Sequence, residues 1–168
     1  VDQTNRIEAQ QELENALESL NKAHEIADLG YYEWIPDQDI VKWSERVLAI
    51  YGVEDRSGPF TIADYIELVH PEDEEIVEEM IEEITRGENV ENLVHRIITP
   101  SGEIKHVEQR ASVTTDEDGN VKLVSGTAQD VTREVEQREK LQRFSKVATE
   151  TSNLVVITDA KGRTEWVN

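Results

Sequence analysis

The sequence predicts an α+β fold in which helices cover one face of an antiparallel sheet. Three observations support this fold class. Residues 92–132 contain three runs rich in β-branched residues, separated by turn signals at Gly102 and Gly119, as in a three-stranded meander. Residues 31–43 contain two shorter strand-like runs around a polar turn. The segments between these two regions have the apolar periodicity of helices.

The composition excludes several classes of protein. The chain has 37 acidic and 17 basic residues, a formal net charge of −20, and no cysteine. Such a surface repels nucleic-acid phosphates and anionic lipid, so we expect neither as a partner. The lack of cysteine excludes disulfides and thiolate chemistry. Without a membrane-spanning run or a secretion signal, we expect a cytoplasmic piece of a longer protein, with no membrane contact from this segment.

The N-terminal residues 2–28 contain no Gly or Pro, which predicts a helix ended by Gly30. A heptad-like apolar stripe follows one side of it: Leu13, Leu17, Leu20, His24 and Ala27. Two interpretations are open. Either the whole helix packs on its own domain, or its earlier part pairs with a second copy while its later part packs on the sheet. The second interpretation predicts a homodimer through this helix.

The hairpin over residues 31–43 has two aromatic side chains on one face. Strand side chains alternate, so Tyr32 and Trp34 point the same way. Three helices should follow, the first capped by Ser44 and the second by a capping box of Thr61 and Asp64. The third should have Pro71 in its first turn. Its predicted buried stripe is Ile76, Met80, Ile81 and Ile84.

Strand alternation divides the side chains of the meander between two faces, and in the first strand both faces carry apolar groups, so we expect both to be at least partly covered. One face has mostly apolar or small side chains and two polar ones, His95 and Gln109, which are candidates to face a cavity. The members are Leu93, His95 and Ile97 in the first strand, Val107, Gln109, Ala111 and Val113 in the middle strand, and Val124, Gly126 and Ala128 in the last. We expect the small residues of the last strand to leave room above the sheet.

The C-terminal part repeats an earlier pattern. A polar helix is predicted over residues 133–150, followed by a hairpin with an acidic turn and Trp166 in its second strand. The same order of helix end, hairpin and tryptophan occurs earlier, where Trp43 takes the corresponding place. We interpret residues 151–168 as the start of a second domain of the same kind.

The order of elements resembles that of the PAS (Per-Arnt-Sim) sensor family. The segments that carry the resemblance are residues 29–34 with 42–44, 69–73, 96–105 with 116–119, and 126–132, which ends in the Asp-x-Thr exit motif. His106 departs from the pattern, because related sequences often have Trp there. The resemblance implies a five-stranded antiparallel sheet with helices on one face, flanked by signalling helices. The implied divisions are an N-terminal helix over 1–28, the PAS domain over 29–132, a connecting helix over 133–150 and a second PAS domain beginning at 151.

The resemblance also implies a function. Such domains sense small ligands or cofactors, pair as dimers and pass a signal along the exit helix, commonly to a histidine kinase or a cyclic-dinucleotide enzyme. We therefore expect a sensory module of a prokaryotic signal-transduction protein, without enzymatic activity of its own. The alternative is a dimerisation and relay domain that binds no ligand.

The candidate site residues fall into two groups. A ligand pocket between the sheet and the helix around Tyr65 would have His95 and Gln109 as polar groups, with Tyr32, Trp34 and Tyr65 as walls. Alternatively, the two polar side chains satisfy each other or the backbone, and side chains fill the space. At the end of the last strand, Asp130 and Thr132 are candidates for signal relay, since short polar side chains there can tie the exit helix to the sheet.

The expected cofactor chemistry is limited. A covalent flavin adduct and a thiol-attached chromophore both require cysteine and are excluded. Haem requires an axial ligand, commonly histidine. His95 is the histidine that could face the cavity, but we do not expect it to bind haem. We interpret His70 as a structural cap or packing residue, His106 as lying on the other face of the sheet, and His24 as a solvated or interface residue of the helix stripe. We find no metal-spaced ligand set, phosphate loop or nucleophile motif, and therefore expect no metal site and no catalytic residues.

Overall fold

The computed structural model describes residues 2–26, 28–53, 58–150 and 156–167, and the chain forms two compact units, Val1–Val131 and Thr132–Asn168. The helices of the first unit are α1 (Asp2–Ile26), α2 (Glu45–Tyr51), α3 (Ile62–Ile66) and α4 (Glu74–Thr85). Its strands are β1 (Gly30–Ile35), β2 (Ile40–Trp43), β3 (Val90–Ile98), β4 (Ile104–Thr115) and β5 (Val121–Asp130). The second unit contains α5 (Thr132–Glu150), β6 (Val156–Thr158) and β7 (Thr164–Val167).

The five strands of the first unit form one sheet in the order β2-β1-β5-β4-β3, with every neighbouring pair antiparallel. The opening hairpin joins the meander where β1 pairs with β5, from Gly30 opposite Ala128 to Trp34 opposite Val124. The predicted α+β fold with a five-stranded antiparallel sheet is therefore confirmed.

Helices α2, α3 and α4 cover one face of this sheet. Their buried side chains are Val47, Ile50, Tyr51, Tyr65, Val77, Met80 and Ile84. They pack with the inward residues of the strands: Trp34, Val41, Ile97, Val107, Ala111, Val124 and Ala128. Because alternate residues of β4 are buried, the two polar side chains that share this face, His95 of β3 and Gln109 of β4, are buried with them.

Local sequence signals set the starts of two covering helices. At α2, the Ser44 hydroxyl accepts a hydrogen bond from the N–H of Val47, as predicted for an N-cap. At α3, Thr61 and Asp64 form the reciprocal capping box that their spacing predicts. These caps fix where the helices begin, and so fix which side chains of each helix meet the sheet.

The predicted buried stripe of α4 is wrong at one position. Ile76 is 44% exposed, and Val77 is fully buried in its place. The helix begins at Glu74 after a 3-10 turn over Pro71–Asp73, so its inward side follows the spacing Val77, Met80 and Ile84. Ile76 lies one residue out of phase with that side.

The predicted role of Gly30 as a helix end is also wrong. Helix α1 ends at Ile26, and Gly30 is the first residue of β1. A Cβ atom at Gly30 would lie 2.5 Å from Cγ2 of Val47. Glycine is therefore required here by the close approach of α2 to the strand.

The two edge strands of the sheet are partly covered. On β2, the N–H of Val41 donates to the carbonyl of Phe60 at 2.7 Å. On β3, the carbonyl of Arg96 accepts from the N–H of His70, and the N–H of Ile98 donates to the carbonyl of Leu68. These contacts occupy edge groups that another strand could otherwise use.

Helix α1 exposes the apolar stripe that the sequence predicts. Leu13, Leu17 and Leu20 are 60%, 51% and 51% exposed, so these three leucines do not pack on the domain of their own chain. The interpretation that the whole helix packs there fails for this part of the stripe. The side chains of His24 and Ala27 lie outside the described residues.

Candidate functional site

A small cavity lies between the inner face of the sheet and the covering helices. Its volume is about 30 Å³. Most of the wall is aliphatic or aromatic, contributed by Tyr32, Trp34, Val41, Trp43, Val47, Ile62, Tyr65, Met80, Ile81, Ile84, Gln109 and Val124. The wall contains no charged side chain among the residues that the structure describes.

Four of the five predicted ligand residues line this cavity: Tyr32, Trp34, Tyr65 and Gln109. The fifth, His95, is 2% exposed and contacts the hydroxyl of Tyr65, but it is not part of the wall. His95 is buried on the inner face of the sheet together with Ile97, with which it shares a face by strand alternation. The role of these side chains in binding a ligand stays a prediction.

A chain of hydrogen bonds connects the polar side chains beside the cavity. The Gln109 amide donates to Tyr51 Oη at 2.8 Å, and Tyr65 Oη donates to Gln109 Oε1 at 3.0 Å. His95 Nε2 lies 3.0 Å from the same Tyr65 Oη. Because the single proton of Tyr65 goes to Gln109, His95 must donate from Nε2. Sequence reasoning missed Tyr51, whose only signal was its place on the inward side of α2.

Burial keeps these groups neutral. Desolvation raises the pKa of Tyr51 and of Tyr65 well above the ordinary tyrosine value, and raises that of Tyr32 as well. Desolvation lowers the pKa of His95 to about 4, although the nearby Asp73 carboxylate partly opposes this shift. At neutral pH the chain of hydrogen bonds therefore links uncharged side chains.

Two buried nitrogen atoms at or behind the cavity have no hydrogen-bond partner within the described parts of the chain. They are Nε1 of Trp34 and Nδ1 of His95. In the tautomer assigned above, His95 Nδ1 is an acceptor, whereas the indole N–H of Trp34 can only donate. Both atoms are enclosed by neighbouring atoms, so neither is open to the cavity.

The room expected above the small residues of β5 is occupied. The Tyr32 ring crosses Gly126, and its hydroxyl donates to the backbone carbonyl of Arg110 at 3.0 Å. A Cβ atom at position 126 would lie 2.5 Å from Tyr32 Cζ. Gly126 therefore makes space for an aromatic side chain of the protein itself.

The site does not fit haem or a metal ion. His95 is not among the residues that line the cavity, its Nε2 is engaged with the hydroxyl of Tyr65, and about 30 Å³ is far too small for a porphyrin. Across the described residues, no cluster of three or more His, Asp or Glu side chains could hold a metal ion.

The predicted relay residues lie at the transition from sheet to exit helix. Asp130 is the last residue of β5, and Thr132 is the first residue of α5. Lys105 Nζ lies 3.9 Å from Asp130 Oδ2 and donates to the carbonyl of Ile50 at 3.1 Å. Their role in relaying a signal stays a prediction, and sequence reasoning missed Lys105.

The segment before α4 is tied to β3 by an ion pair. Arg96 donates to both carboxylate oxygens of Asp73, at 3.0 Å and 2.6 Å, and hydrogen bonding to Arg96 lowers the pKa of Asp73 to about 2. His70 Nδ1 accepts from the N–H of Glu72, which agrees with its interpretation as a cap. The side chain of His24 lies outside the described residues.

Comparison with known families decides the identity of this fold. Residues 40–128, just over half of the chain, match the family described as the PAS fold. The chain belongs to the PAS fold family. The match does not reach the C-terminal hairpin, so family membership applies to the first unit.

Relatives of this PAS domain occur in signalling proteins. The chain is 28% identical over 121 residues to the Escherichia coli (strain K12) protein named "Probable diguanylate cyclase DgcE", covering 72% of this chain but only 11% of that protein. A sensory box histidine kinase/response regulator from Burkholderia thailandensis has the same fold, with 18% identity, a TM-score of 0.67, and coverage of 79% of this chain and 98% of the other.

A second solved structure with this fold is the N-terminal domain of a diguanylate cyclase with PAS/PAC sensor from Marinobacter aquaeolei. It has 18% identity and a TM-score of 0.57, and the alignment covers 63% of this chain and 97% of that one. PAS domains of this kind therefore accompany both histidine kinase and diguanylate cyclase outputs. Within the described residues of this chain, no helix has the length and apolar character needed to cross a membrane.

Proposed function

We propose that this PAS domain is the ligand-sensing input module of a longer cytoplasmic signalling protein. The observation that carries the proposal is the cavity, which combines a mostly apolar wall with a buried polar side chain, Gln109. Ligand sites have this character, being mostly apolar with a few polar groups that fix orientation. The output would be a histidine kinase or a diguanylate cyclase, as the names of its relatives suggest.

We propose that the signal reaches α5 through Asp130 and Thr132. The support is positional, because Asp130 ends the strand that precedes α5 and lies near Lys105, whose ammonium also holds the C-terminal end of α2. Tyr51, the last residue of α2, contacts the cavity residue Gln109. A ligand that displaced Gln109 would therefore act on a helix that is connected to Asp130 by one side chain.

We propose that the domain works as a homodimer through α1. The exposed leucines of α1 follow heptad spacing, and burying them against a second copy would remove apolar surface from water. In such a dimer, each α1 would bring an upstream signal to its PAS domain.

We also propose that residues 151–168 open a second domain of this kind. The hairpin β6–β7 turns at Asp159, whose Oδ1 accepts from the N–H groups of Lys161 and Arg163. The support is the order of elements, because β6–β7 follows α5 as β1–β2 follows α1. Trp166 lies in the second strand of its hairpin, as Trp43 does in β2.

The ligand-free alternative has its own supporting observation. The cavity of about 30 Å³ is well below the roughly 300 Å³ at which ligand pockets begin, and Gln109, Tyr65 and His95 are hydrogen-bonded in one chain. A domain without a ligand would only form dimers and relay a signal between its flanking helices.

One experiment separates the two functions. The purified chain is melted with a library of small metabolites, and in parallel Asp130→Ala is tested in the full-length protein for regulation of its output. Sensing predicts a saturable rise in melting temperature with one ligand class, because a ligand that binds only the folded state stabilises it. A loss of regulation in Asp130→Ala without any ligand shift would favour the ligand-free relay, and normal regulation would refute the relay role of Asp130.

A further inference from the structure

We propose that the cavity takes a small apolar molecule of about two or three non-hydrogen atoms, the size of a dissolved gas, and excludes polar molecules of equal size. The inference rests on the proposed sensing function, because it names the class of ligand that the same site would detect. It depends on the composition of the wall, on the hydrogen bonds that its polar side chains already make, and on the volume of the cavity.

Most of the wall of the cavity is hydrocarbon. Three valines, three isoleucines and one methionine contribute to it, together with four aromatic residues. Helix α4 supplies three of these side chains, Met80, Ile81 and Ile84. An apolar cavity in a protein stays dry and binds apolar molecules, which gain dispersion contacts with the wall that the empty space lacks. The composition of the wall therefore favours an apolar ligand.

The polar side chains of the wall already have partners within the protein. The amide oxygen of Gln109 accepts a hydrogen bond from Tyr65, and its amide nitrogen donates to Tyr51. The hydroxyl of Tyr32 donates to the backbone carbonyl of Arg110 at 3.0 Å. A polar ligand would have to compete with these bonds for partners, after losing its own bonds to water on entry. An apolar ligand meets neither cost.

The two tryptophans of the wall add to its apolar character. Trp34 lines the cavity, but its Nε1 is enclosed by neighbouring atoms, so the indole contributes carbon atoms to the wall. The ring of Trp43 is stacked on those of Tyr51 and Phe60, with centroid distances of 5.0 Å and 4.3 Å. The wall has no charged side chain among the residues that the structure describes, so an ion would lose its hydration without meeting an opposite charge.

The volume of the cavity sets the size of the ligand. A cavity needs roughly 10–15 Å³ to hold one water molecule, so about 30 Å³ has room for about two or three non-hydrogen atoms. Pockets for drug-sized molecules begin at roughly ten times this volume. The small volume that argues against an ordinary metabolite is therefore sufficient for a dissolved gas.

Ethane and methanol test the inference as a matched pair, because both are neutral and have two non-hydrogen atoms, but only methanol has a hydroxyl group. The whole chain, labelled with ¹³C in its methyl groups, is titrated with each probe and followed by NMR. Met80 is the only methionine of the sequence and lines the cavity, so its methyl signal reports on this site alone. We expect ethane to move that signal in a saturable way and to bind at least about tenfold more tightly than methanol, whose hydroxyl would be buried without a free partner. The signals of Ile104, which is 48% exposed, are the internal control.

Two variants change the space in the cavity in opposite directions. Val124→Ile adds one methylene group to the wall and should weaken ethane binding by at least about fourfold. Val94→Ile, the same change at a residue that is 42% exposed, should leave ethane binding unchanged. Ile84→Val removes one methylene group from the wall and should strengthen the binding of propane about fourfold relative to the wild type. If Val124→Ile does not fold, Ile84→Val and the matched probes still decide.

Three results would overturn the inference. An absence of any saturable shift of the Met80 signal with ethane would refute it outright, and methanol binding as tightly as ethane would refute selection for an apolar ligand. A folded Val124→Ile protein with unchanged affinity for ethane would place the binding site outside the cavity. In each case a polar metabolite that raised the melting temperature would leave ligand sensing intact. Conversely, ethane that binds in the cavity without altering the output of the full-length protein would support the site and count against sensing through it.

Discussion

Lys105 joins the helix that borders the cavity to the strand that leads into α5. Its Nζ lies 3.9 Å from Asp130 Oδ2 and donates to the carbonyl of Ile50 at 3.1 Å. Ile50 is the penultimate residue of α2, and its neighbour Tyr51 holds the cavity residue Gln109. The Lys105 side chain is only 17% exposed, so solvent screens these contacts weakly.

Replacing this lysine should therefore be costly. Lys105→Met keeps most of the apolar stem but leaves the Ile50 carbonyl without its charged donor, and we expect the free energy of unfolding to fall by about 1–2 kcal/mol. Urea denaturation measures this change. A double variant with Asp130→Ala should lose less than the sum of the two single losses, because both act on one cluster of contacts.

Lys122→Met is the matched control. Lys122 Nζ contacts Asp37 Oδ2 at 2.7 Å, but its side chain is 47% exposed. An exposed pair contributes about 0.5 kcal/mol. If Lys105→Met and Lys122→Met lowered the free energy of unfolding equally, Lys105 would have no greater role in stability than an exposed lysine.

Gly126→Ala should disturb the centre of the sheet. The added methyl group would meet the Tyr32 ring and the Arg110 carbonyl, and the latter cannot move without shifting β4. We expect a loss of about 2–3 kcal/mol in the free energy of unfolding, which thermal and urea denaturation should both detect.

Ser125→Ala controls for substitution in the same strand. Ser125 lies on the opposite face of β5 by strand alternation, and its replacement should change stability by about 0.5 kcal/mol or less. A Gly126→Ala protein as stable as the wild type would show that Tyr32 does not need the space above this glycine.

The sequence allowed prediction of features that depend on local signals. The capping box of Thr61 and Asp64 spans only four residues, and the face that His95 shares with Ile97 depends only on strand alternation. The phase of α4 was wrong by one residue at Ile76, because a 3-10 turn over Pro71–Asp73 precedes the helix. The helix propensities of these residues do not distinguish a 3-10 turn from the first turn of an α-helix.

Partners that are distant in the chain could not be predicted. Tyr51 and Gln109 are 58 residues apart, and Lys105 and Ile50 are 55 apart. Their contacts depend on the packing of α2 against β4, and no periodic pattern within either element encodes that distance. The Tyr32 ring above Gly126 is a similar case, because glycine in a strand indicates a close approach without identifying the approaching group.

Leu17→Glu should separate the proposed dimer. Leu17 is the middle leucine of the exposed stripe on α1, and a carboxylate there would be buried between two copies. We expect the mass measured by light scattering to fall from dimer to monomer at micromolar concentration. Asn15→Glu, which adds the same charge on the opposite side of the helix, should leave the dimer intact. A monomeric wild-type chain would contradict the proposed pairing through α1.

The stability of the domain should fall as the pH drops below about 6.5, because of His95. Its pKa is about 4 in the folded protein and near 6.5 in the unfolded chain. Between these values the unfolded state binds a proton that the folded state does not, so acidification favours unfolding. The contribution of His95 is fully present above pH 6.5 and is lost progressively toward pH 4.

The full effect would be about 3 kcal/mol, since each unit of pKa difference corresponds to 1.36 kcal/mol. Titration of Asp73 does not obscure the effect of His95. Hydrogen bonding to Arg96 lowers the pKa of Asp73 from 3.8 to about 2, so the stability that Asp73 contributes is lost only below about pH 3.8. Urea denaturation between pH 7.5 and 4.5 measures the slope. His95→Gln can still donate to the Tyr65 hydroxyl but does not titrate, so it should flatten the curve in this window. An unchanged slope in His95→Gln would assign the pH dependence to other groups, and would mean that the imidazole is not held neutral by its burial behind Tyr65.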